Sequence, residues 1–485
     1  MWWSFQTIKL SKKEYTFIAL GAITAILFCI LSVWKGDILF FFIPVMLLVA
    51  FAFLVILFRE PLTGLITTMV YCFLMGIPAR EIGGLAYGIG IELFLLLTWL
   101  SVWYNAKRYD LSVLRNDLIV LFLVWFALSV LEIVNPSGAT VRGWLQEIRS
   151  AALYPILIAG LGSVLLNKKK HVNIFIRLVV ALSLLAAFNG IKQKYIGPSR
   201  GEQAFLDNGG AETHILGGQL RVFSFYQDAG QFGASMAEFI VIALVLAIGL
   251  KRFGKRAFYF LCVPIFAYAM LISGTRGSFF ALIFGAAFAL LLTRNFKALI
   301  IGTLFLAAFI GFLKFTTIGN TNYGIFRLRT AVDPQDASLN LRFINQQKLS
   351  EYLKTKPLGG GLGVIGAFGH KYNPGQFLST IEPDSYWVKV WAMYGIVGFT
   401  FWFCMMMYLL GKCCGFIWRI RDPDLKVKMI ALGAGVAGIF LCSYGNEVIN
   451  NMPSSIIVNL SFAIIFNAAK IEENEKQSTI DAVAL

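Results

Sequence analysis

Three arginines stand where a membrane-embedded chain would ordinarily avoid them. Arg276 falls in LISGTRGSFF between two long apolar runs, Arg221 opens RVFSFYQDAGQFG just ahead of another, and Arg342 lies in SLNLRFINQQKLSEYLKTKP. A lone arginine at a membrane edge can simply snorkel, its aliphatic stem in hydrocarbon and its head among lipid headgroups. Three guanidiniums on one face would do more. Each offers planar paired donors and keeps its charge at any physiological pH, so together they would grip a phosphate-rich ligand. A pyrophosphate held there could depart as a leaving group without metal, because fixed positive charge stabilises the negative charge that develops on it.

Carboxylates complete the candidate set. Glu382 and Asp384 in IEPDSYW could activate or orient an acceptor hydroxyl, since partial desolvation raises a carboxylate toward the working pH. Asp384 reads equally well as the N-cap of the following helix. Gln227 and Asp228 are candidates for contacts with substrate hydroxyls, or for capping. His370 in AFGHKYNPG is a weaker candidate for the same site, His214 weaker still, and His171 belongs to the basic run NKKKH. Glu238 is costly in lipid and is expected to pair with an arginine, while Asn446 and Glu447 are placed to line the same cavity. None of the seven cysteines lies in a loop assigned outside and no spacing resembles a metal site, so neither disulfide framework, metal nor cofactor is expected. Cys413 and Cys414 are expected at the cytoplasmic membrane edge, a position compatible with palmitoylation in a suitable host.

The elements that must position these residues are membrane helices. The chain has 485 residues, 58% hydrophobic and 14% charged, with mean hydropathy +0.73, whereas soluble domains carry about 25% charge. The expected fold is an all-α polytopic membrane protein with about fourteen transmembrane helices, each long enough for a hydrocarbon core roughly 30 Å thick. The expected spans are 16–34, 38–58, 61–78, 86–104, 117–134, 150–166, 172–191, 228–250, 257–273, 277–293, 297–315, 386–411, 429–447 and 453–469. The first follows Lys9, Lys12 and Lys13 and reads as a retained anchor, because it lacks a small-residue cleavage site.

Basic residues sort the loops into two alternating sets. Arg59, the 107–115 loop, NKKKH (167–171), KRFGKR (251–256), Arg294 with Lys297, and the 412–428 region mark the cytoplasmic side, which also takes both termini and the polar, frayed tail 471–485. The net charge of +16 is thereby largely a topology signal, not the footprint of a nucleic-acid partner. The opposite set holds 35–37, 79–85, 135–149, 192–227, 274–276, 316–385 and 448–452.

One membrane domain over 1–485 thus carries two extracytoplasmic elaborations, 192–227 and the large loop 316–385. Within the latter an amphipathic helix is expected around Leu341, Ile344, Leu349 and Leu353, ending before Pro357, followed by a flexible GGGLG turn. The loop 135–149, NPSGATVRGWLQEIR, is either an ordinary connector or a surface-lying segment with Trp144 and Leu145 toward lipid.

LISGTRGSFFALIFG, RVFSFYQDAGQFGASMA, SLNLRFINQQKLSEYLKTKPLGGGLG and DSYWVKVWAMYGIVGFTFW together resemble the blocks of the O-antigen ligase and O-antigen polymerase superfamily over roughly residues 220 to 410. The resemblance implies an inverting, metal-independent GT-C type glycosyltransferase. Its donor would be a glycan on undecaprenyl pyrophosphate, and its acceptor a hydroxyl on another glycan, lipid A core or protein, at the outer face of the bacterial cytoplasmic membrane. Arg221 and Arg276 would match the pyrophosphate-holding arginines and Arg342 the loop arginine. The chain departs from the ligase pattern at Pro383-Asp384, where ligases usually carry His-Asn, which tilts the expectation toward a polymerase or exopolysaccharide enzyme. The alternative is a flippase for the same lipid-linked glycans; transporters commonly show internal repeats and mid-membrane polar residues, whereas the notable charges here sit at one edge beside a long loop.

Overall fold

The computed structural model describes residues 39–84, 86–294, 296–318, 326–327, 329 and 337–483. Their regular structure is helical apart from one hairpin of two two-residue strands. The chain forms two compact units, 1–67 with 93–109, and 68–92 with 110–485.

The first unit contains α1 (Leu39–Arg59), the start of α2 (Pro61–Leu74) and most of α4 (Ile89–Tyr104). Polar side chains in and just after α4 spend their donors on backbone carbonyls that lipid could not satisfy: Ser101 Oγ donates to Leu57 O, and Asn105 Nδ2 to Phe58 O, each at 2.6 Å.

The second unit continues with α3 (Gly76–Glu81), α5 (Asp117–Leu131), α6 (Val141–Ile148), α7 (Tyr154–Leu165), α8 (Lys169–Tyr195) and α9 (Arg200–Phe205). Beyond the hairpin come α10 (Ala229–Gly249), α11 (Phe253–Ile272), α12 (Arg276–Thr293), α13 (Phe296–Phe315), α14 (Ala337–Leu353) and α15 (Gly366–Tyr372). The last helices are α16 (Tyr386–Arg419), α17 (Pro423–Cys442), α18 (Ser454–Phe466) and α19 (Ala468–Val483). At its centre α10 packs on α11, α12 and α17, and α12 packs on α17. The small residues of ALGAGVAG in α17 make this possible: Gly438 faces the Ala281 carbonyl and Gly435 faces Glu238. Close backbone approach replaces the hydrophobic driving force that lipid removes.

Eight helices among the described residues are long and apolar enough to cross a membrane, or nine if α18 and α19, bent by 58°, count as one span. This is a multi-pass membrane protein, but the expected fourteen spans are not all found. Span 16–34 lies outside the described residues. Span 61–78 is cut at α2, whose fourteen residues reach only about 21 Å. Helix α4 has 16 residues. Span 150–166 begins earlier, because α6 runs through a π-turn at Arg149–Leu153 into α7.

Other expectations are corrected as well. The 135–149 segment is more than a plain connector: α6 buries Gly143, Glu147 and Ile148 and leaves Leu145 exposed, and Trp144 Nε1 donates to Ser129 O at 2.9 Å. The glycine-rich turn is packed, not flexible. Gly360 and Gly361 donate to the Ala392 and Met393 carbonyls at 2.9 Å each, where α16 is broken at Gly395 (φ +64°). A side chain on Gly395 would collide with Pro357 O, so the left-handed residue and the turn specify each other. The tail is a docked helix, with Ile471 buried and Glu472 accepting the Arg421 and Asp422 amides at 3.0 and 2.7 Å. Cys413 and Cys414 are buried inside α16, not at a surface.

Candidate functional site

A cleft of about 1120 Å³ opens within the second unit. Arg149, Arg221, Arg276, Arg327 and Arg342 line it, contributed by five separate segments. The four carboxylates among its described lining residues are Asp228, Glu382, Asp384 and Glu447.

Arg221 is set by the hairpin of β1 (Ile215–Leu216) and β2 (Gln219–Leu220). Its turn is Gly217-Gly218, both at positive φ, as a two-residue hairpin requires. Arg221 N extends the ladder to His214 O at 2.7 Å. Its guanidinium donates to Thr213 O at 2.9 Å and to Thr275 Oγ1 at 3.0 Å, so the hairpin is tied to the start of α12.

The return from Arg221 to α10 passes through Ser224, a non-glycine residue at φ +51°. Such a conformation persists only where the surroundings over-determine it. Here Gln193, 1% exposed, accepts the Ser224 amide at 2.8 Å and donates to the Ser224 carbonyl at 3.0 Å, while Ser224 Oγ donates to Ala186 O at 2.8 Å. Arg80 adds a donor to Ser224 O at 2.8 Å and another to Tyr226 O, with its guanidinium over the Phe223 ring. Burial lowers the Arg80 pKa to about 10 against the raising influence of Glu202 and Asp228, so it stays charged at neutral pH. His214, wedged edge-on against Phe205 and Phe223, has its imidazole pushed down by burial, opposed by its bond to Gly210 O.

Two long helices begin at the cleft. Asp228 caps α10, accepting Gln231 N at 2.9 Å, and Arg276 is the first residue of α12 after Thr275. The unsatisfied amides and dipole of a helix N-terminus favour anions. The Asn446 carboxamide reaches between the two starts, where a Cβ on Gly277 or Gly230 would crowd it. Glycine at these positions is a requirement of close approach.

The remaining wall comes from the large loop and its supports. Arg342 on α14 pairs with Asp384 at 3.5 Å. Glu382 accepts from His370 Nε2 at 2.7 Å, so His370 stands behind the cleft lining instead of in it. Asp384 does not cap α16; Ser385 does, accepting Val388 N. Arg149 pairs with Glu92, which also accepts from Tyr154 Oη at 2.5 Å. Lys389 Nζ bridges Glu147 Oε1 at 3.1 Å and Glu447 Oε2 at 3.0 Å. Among the described residues no group of three or more His, Cys, Asp or Glu could hold a metal ion.

Residues 260–403 match the O-antigen ligase family. The likeness to the O-antigen ligase and polymerase superfamily rests on this one segment. No curated protein matches the chain. The family segment supplies Arg276, Arg327, Arg342, Glu382, Asp384 and Lys389, whereas Arg221, Arg149 and Glu447 come from outside it.

Of the residues singled out in the sequence, Arg221, Arg276, Arg342, Gln227, Asp228, Glu382 and Asp384 all line the cleft, with His214, Asn446 and Glu447. Glu238 does not. It is buried in α10 against Gly435, and among the described residues its carboxyl oxygens find no hydrogen-bond partner, the expected arginine included. His171 lies elsewhere, its ring Nδ1 2.7 Å from Leu165 O. Sequence reasoning missed Arg149, Arg327 and Lys389. Arg149 and Lys389 each interrupt an apolar helix, and an ionisable residue there is itself a site signal.

Proposed function

We propose that this protein is a membrane glycosyltransferase that takes a glycan from undecaprenyl pyrophosphate and joins it to an acceptor hydroxyl, with inversion, at the extracytoplasmic face of the cytoplasmic membrane. The observation that carries this reading is the convergence of five arginines on one cleft that also receives the starts of α10 and α12. The match of residues 260–403 to the O-antigen ligase family supports a transferase of this class.

In this reading Arg276 and Arg221 hold the pyrophosphate, with Arg327 and Arg342 closing on it from the loop side. Their charge stabilises the leaving group as the glycosidic bond breaks, without a metal. Glu382 and Asp384, held by His370 and Arg342, form the acceptor side of the cleft with Gln227 and Asp228. Bidentate guanidiniums suit this work better than ammonium groups, since they match phosphate oxygens in pairs.

The test is a reconstituted assay with polyprenyl-pyrophosphate glycan and a glycan or lipid A core acceptor. Transfer that persists in chelator is expected. Product length distinguishes a polymerase from a ligase. Carrier movement between leaflets without any new glycosidic bond would instead establish the flippase reading.

A further inference from the structure

The arginines account for the leaving group but leave the acceptor hydroxyl without a place for its proton. Four carboxylates line the cleft and they differ sharply in setting. Glu382 and Asp384 have side chains 65% and 48% exposed, engaged by His370 and Arg342. Asp228 is committed to the amide at the start of α10. Glu447 is the most enclosed of the lining acids whose position is not fixed by capping, at 25% exposure.

Glu447 sits on the connection between α17 and α18, and that connection is firmly seated. Tyr386 N donates to Ser443 O at 2.9 Å, Ile449 N to Ser443 Oγ at 3.2 Å, and Asn451 Nδ2 to Glu447 O at 2.8 Å. Its neighbour Asn446 lies between the starts of α10 and α12, so Glu447 stands next to the proposed pyrophosphate position. Oε2 is held by Lys389, while Oε1 lies on the side of Gly366 and Pro383, residues that line the cleft together with Glu447.

Charge counting gives this carboxylate its chemistry. Glu147 is 0% and Lys389 7% exposed. One ammonium between two carboxylates leaves a surplus negative charge in a wall of low dielectric, and such a charge attracts a proton. Burial pushes the Glu447 carboxyl up, the Lys389 ammonium opposes this, and Glu147 adds to the rise.

We propose that Glu447 is the general base of the transfer, with Lys389 and Glu147 as the positioning pair that sets its charge. This rests on the transferase reading. The acceptor oxygen attacks the anomeric carbon as the bond from that carbon to the pyrophosphate oxygen breaks. The bonding electron pair leaves with the pyrophosphate, and the acceptor proton passes to Oε1 of Glu447, from which it is lost to solvent before the next turnover.

The test uses the full-length reconstituted protein and the polyprenyl-pyrophosphate glycan donor. Glu447→Gln keeps the Lys389–Glu147 pair neutral, so the wall retains its fold. It is expected to bind donor normally while losing at least about 10²-fold in kcat, the typical weight of a general base. A second variant, Glu147→Gln, removes the charge that raises Glu447, so the acidic limb of the kcat profile should move to lower pH. Other charged groups around Glu447 are Lys389 on α16, Glu382 and Asp384 on the facing loop, and the five cleft arginines; all are retained in Glu147→Gln, and the ionisable Tyr386 phenol on α16 is too. Turnover in Glu447→Gln within about twofold of wild type overturns the assignment, since a lost general base costs far more. An acidic limb unmoved by Glu147→Gln overturns it as well. A wild type that makes no transfer product at all defeats the transferase reading first, so the two failures are distinguishable.

Discussion

Two regions of the second unit use their basic side chains differently. In the lysine-rich segments, Lys169 bridges Asp422 at 2.6 Å and Asp424 at 3.7 Å, Lys428 also pairs with Asp424, and Lys470 pairs with Asp110. These cations join neighbouring elements to one another. Elsewhere in the unit five arginines from separate segments face a common cleft. The contrast teaches that charge density in a loop is a poor guide to function here. The lysine-rich segments are stitched into the scaffold, and the sparser arginines line the candidate site.

Removing cleft arginines should break this comparison most severely. Arg276→Ala and Arg221→Ala are each expected to lower kcat/KM by about 10²–10³, as loss of a leaving-group donor does. Lysine at either position should restore only part, because it supplies charge without the paired donors. Transfer kinetics at matched, correctly inserted protein check both.

A smaller effect is expected at Arg80, which touches the return loop and not the cleft. Arg80→Met should raise the donor KM about tenfold more than it lowers kcat, because loss of the Ser224 and Tyr226 carbonyl contacts loosens Arg221 and Asp228. An equal fall in kcat with KM unchanged would place Arg80 in the chemistry instead.

The stitched segments should respond least. Lys169→Ala is expected to cost about 1 kcal/mol or less in thermal unfolding and to leave transfer within about twofold of wild type, since the pair lies outside the cleft lining. Burial opposes ionisation of Asp422, yet Lys169 and the α17 amides bring its carboxyl below the usual value. A depressed carboxylate contributes stability that is present above its unfolded pKa and lost as pH falls through the folded one. The stability gap between wild type and Asp422→Ala should therefore be full above about pH 4 and close on further acidification.

Much of this was legible in the sequence because membrane insertion imposes strong, local rules. Apolar length revealed a polytopic helical protein, and the arginine positions pointed to one cleft. Helix number was less legible, since a π-turn merged α6 with α7 and α2 ends after fourteen residues. The glycine-rich turn looked flexible because its partner, the break at Gly395, lies about 35 positions on. The Glu147–Lys389–Glu447 group was invisible for the same reason: its three members are 242 and 58 positions apart, and only tertiary packing joins them.

The most direct measurement of the central claim is equilibrium binding of a polyprenyl-pyrophosphate glycan and the matching monophosphate to wild type and Arg276→Ala in lipid nanodiscs. The arginine cleft predicts that the pyrophosphate binds at least about tenfold tighter than the monophosphate, each added charge-assisted contact contributing 1 kcal/mol or more, and that Arg276→Ala erases most of the difference. Equal affinity for the two carriers, or a preference unaffected by Arg276→Ala, would contradict the claim and return these arginines to the role of membrane-edge anchors.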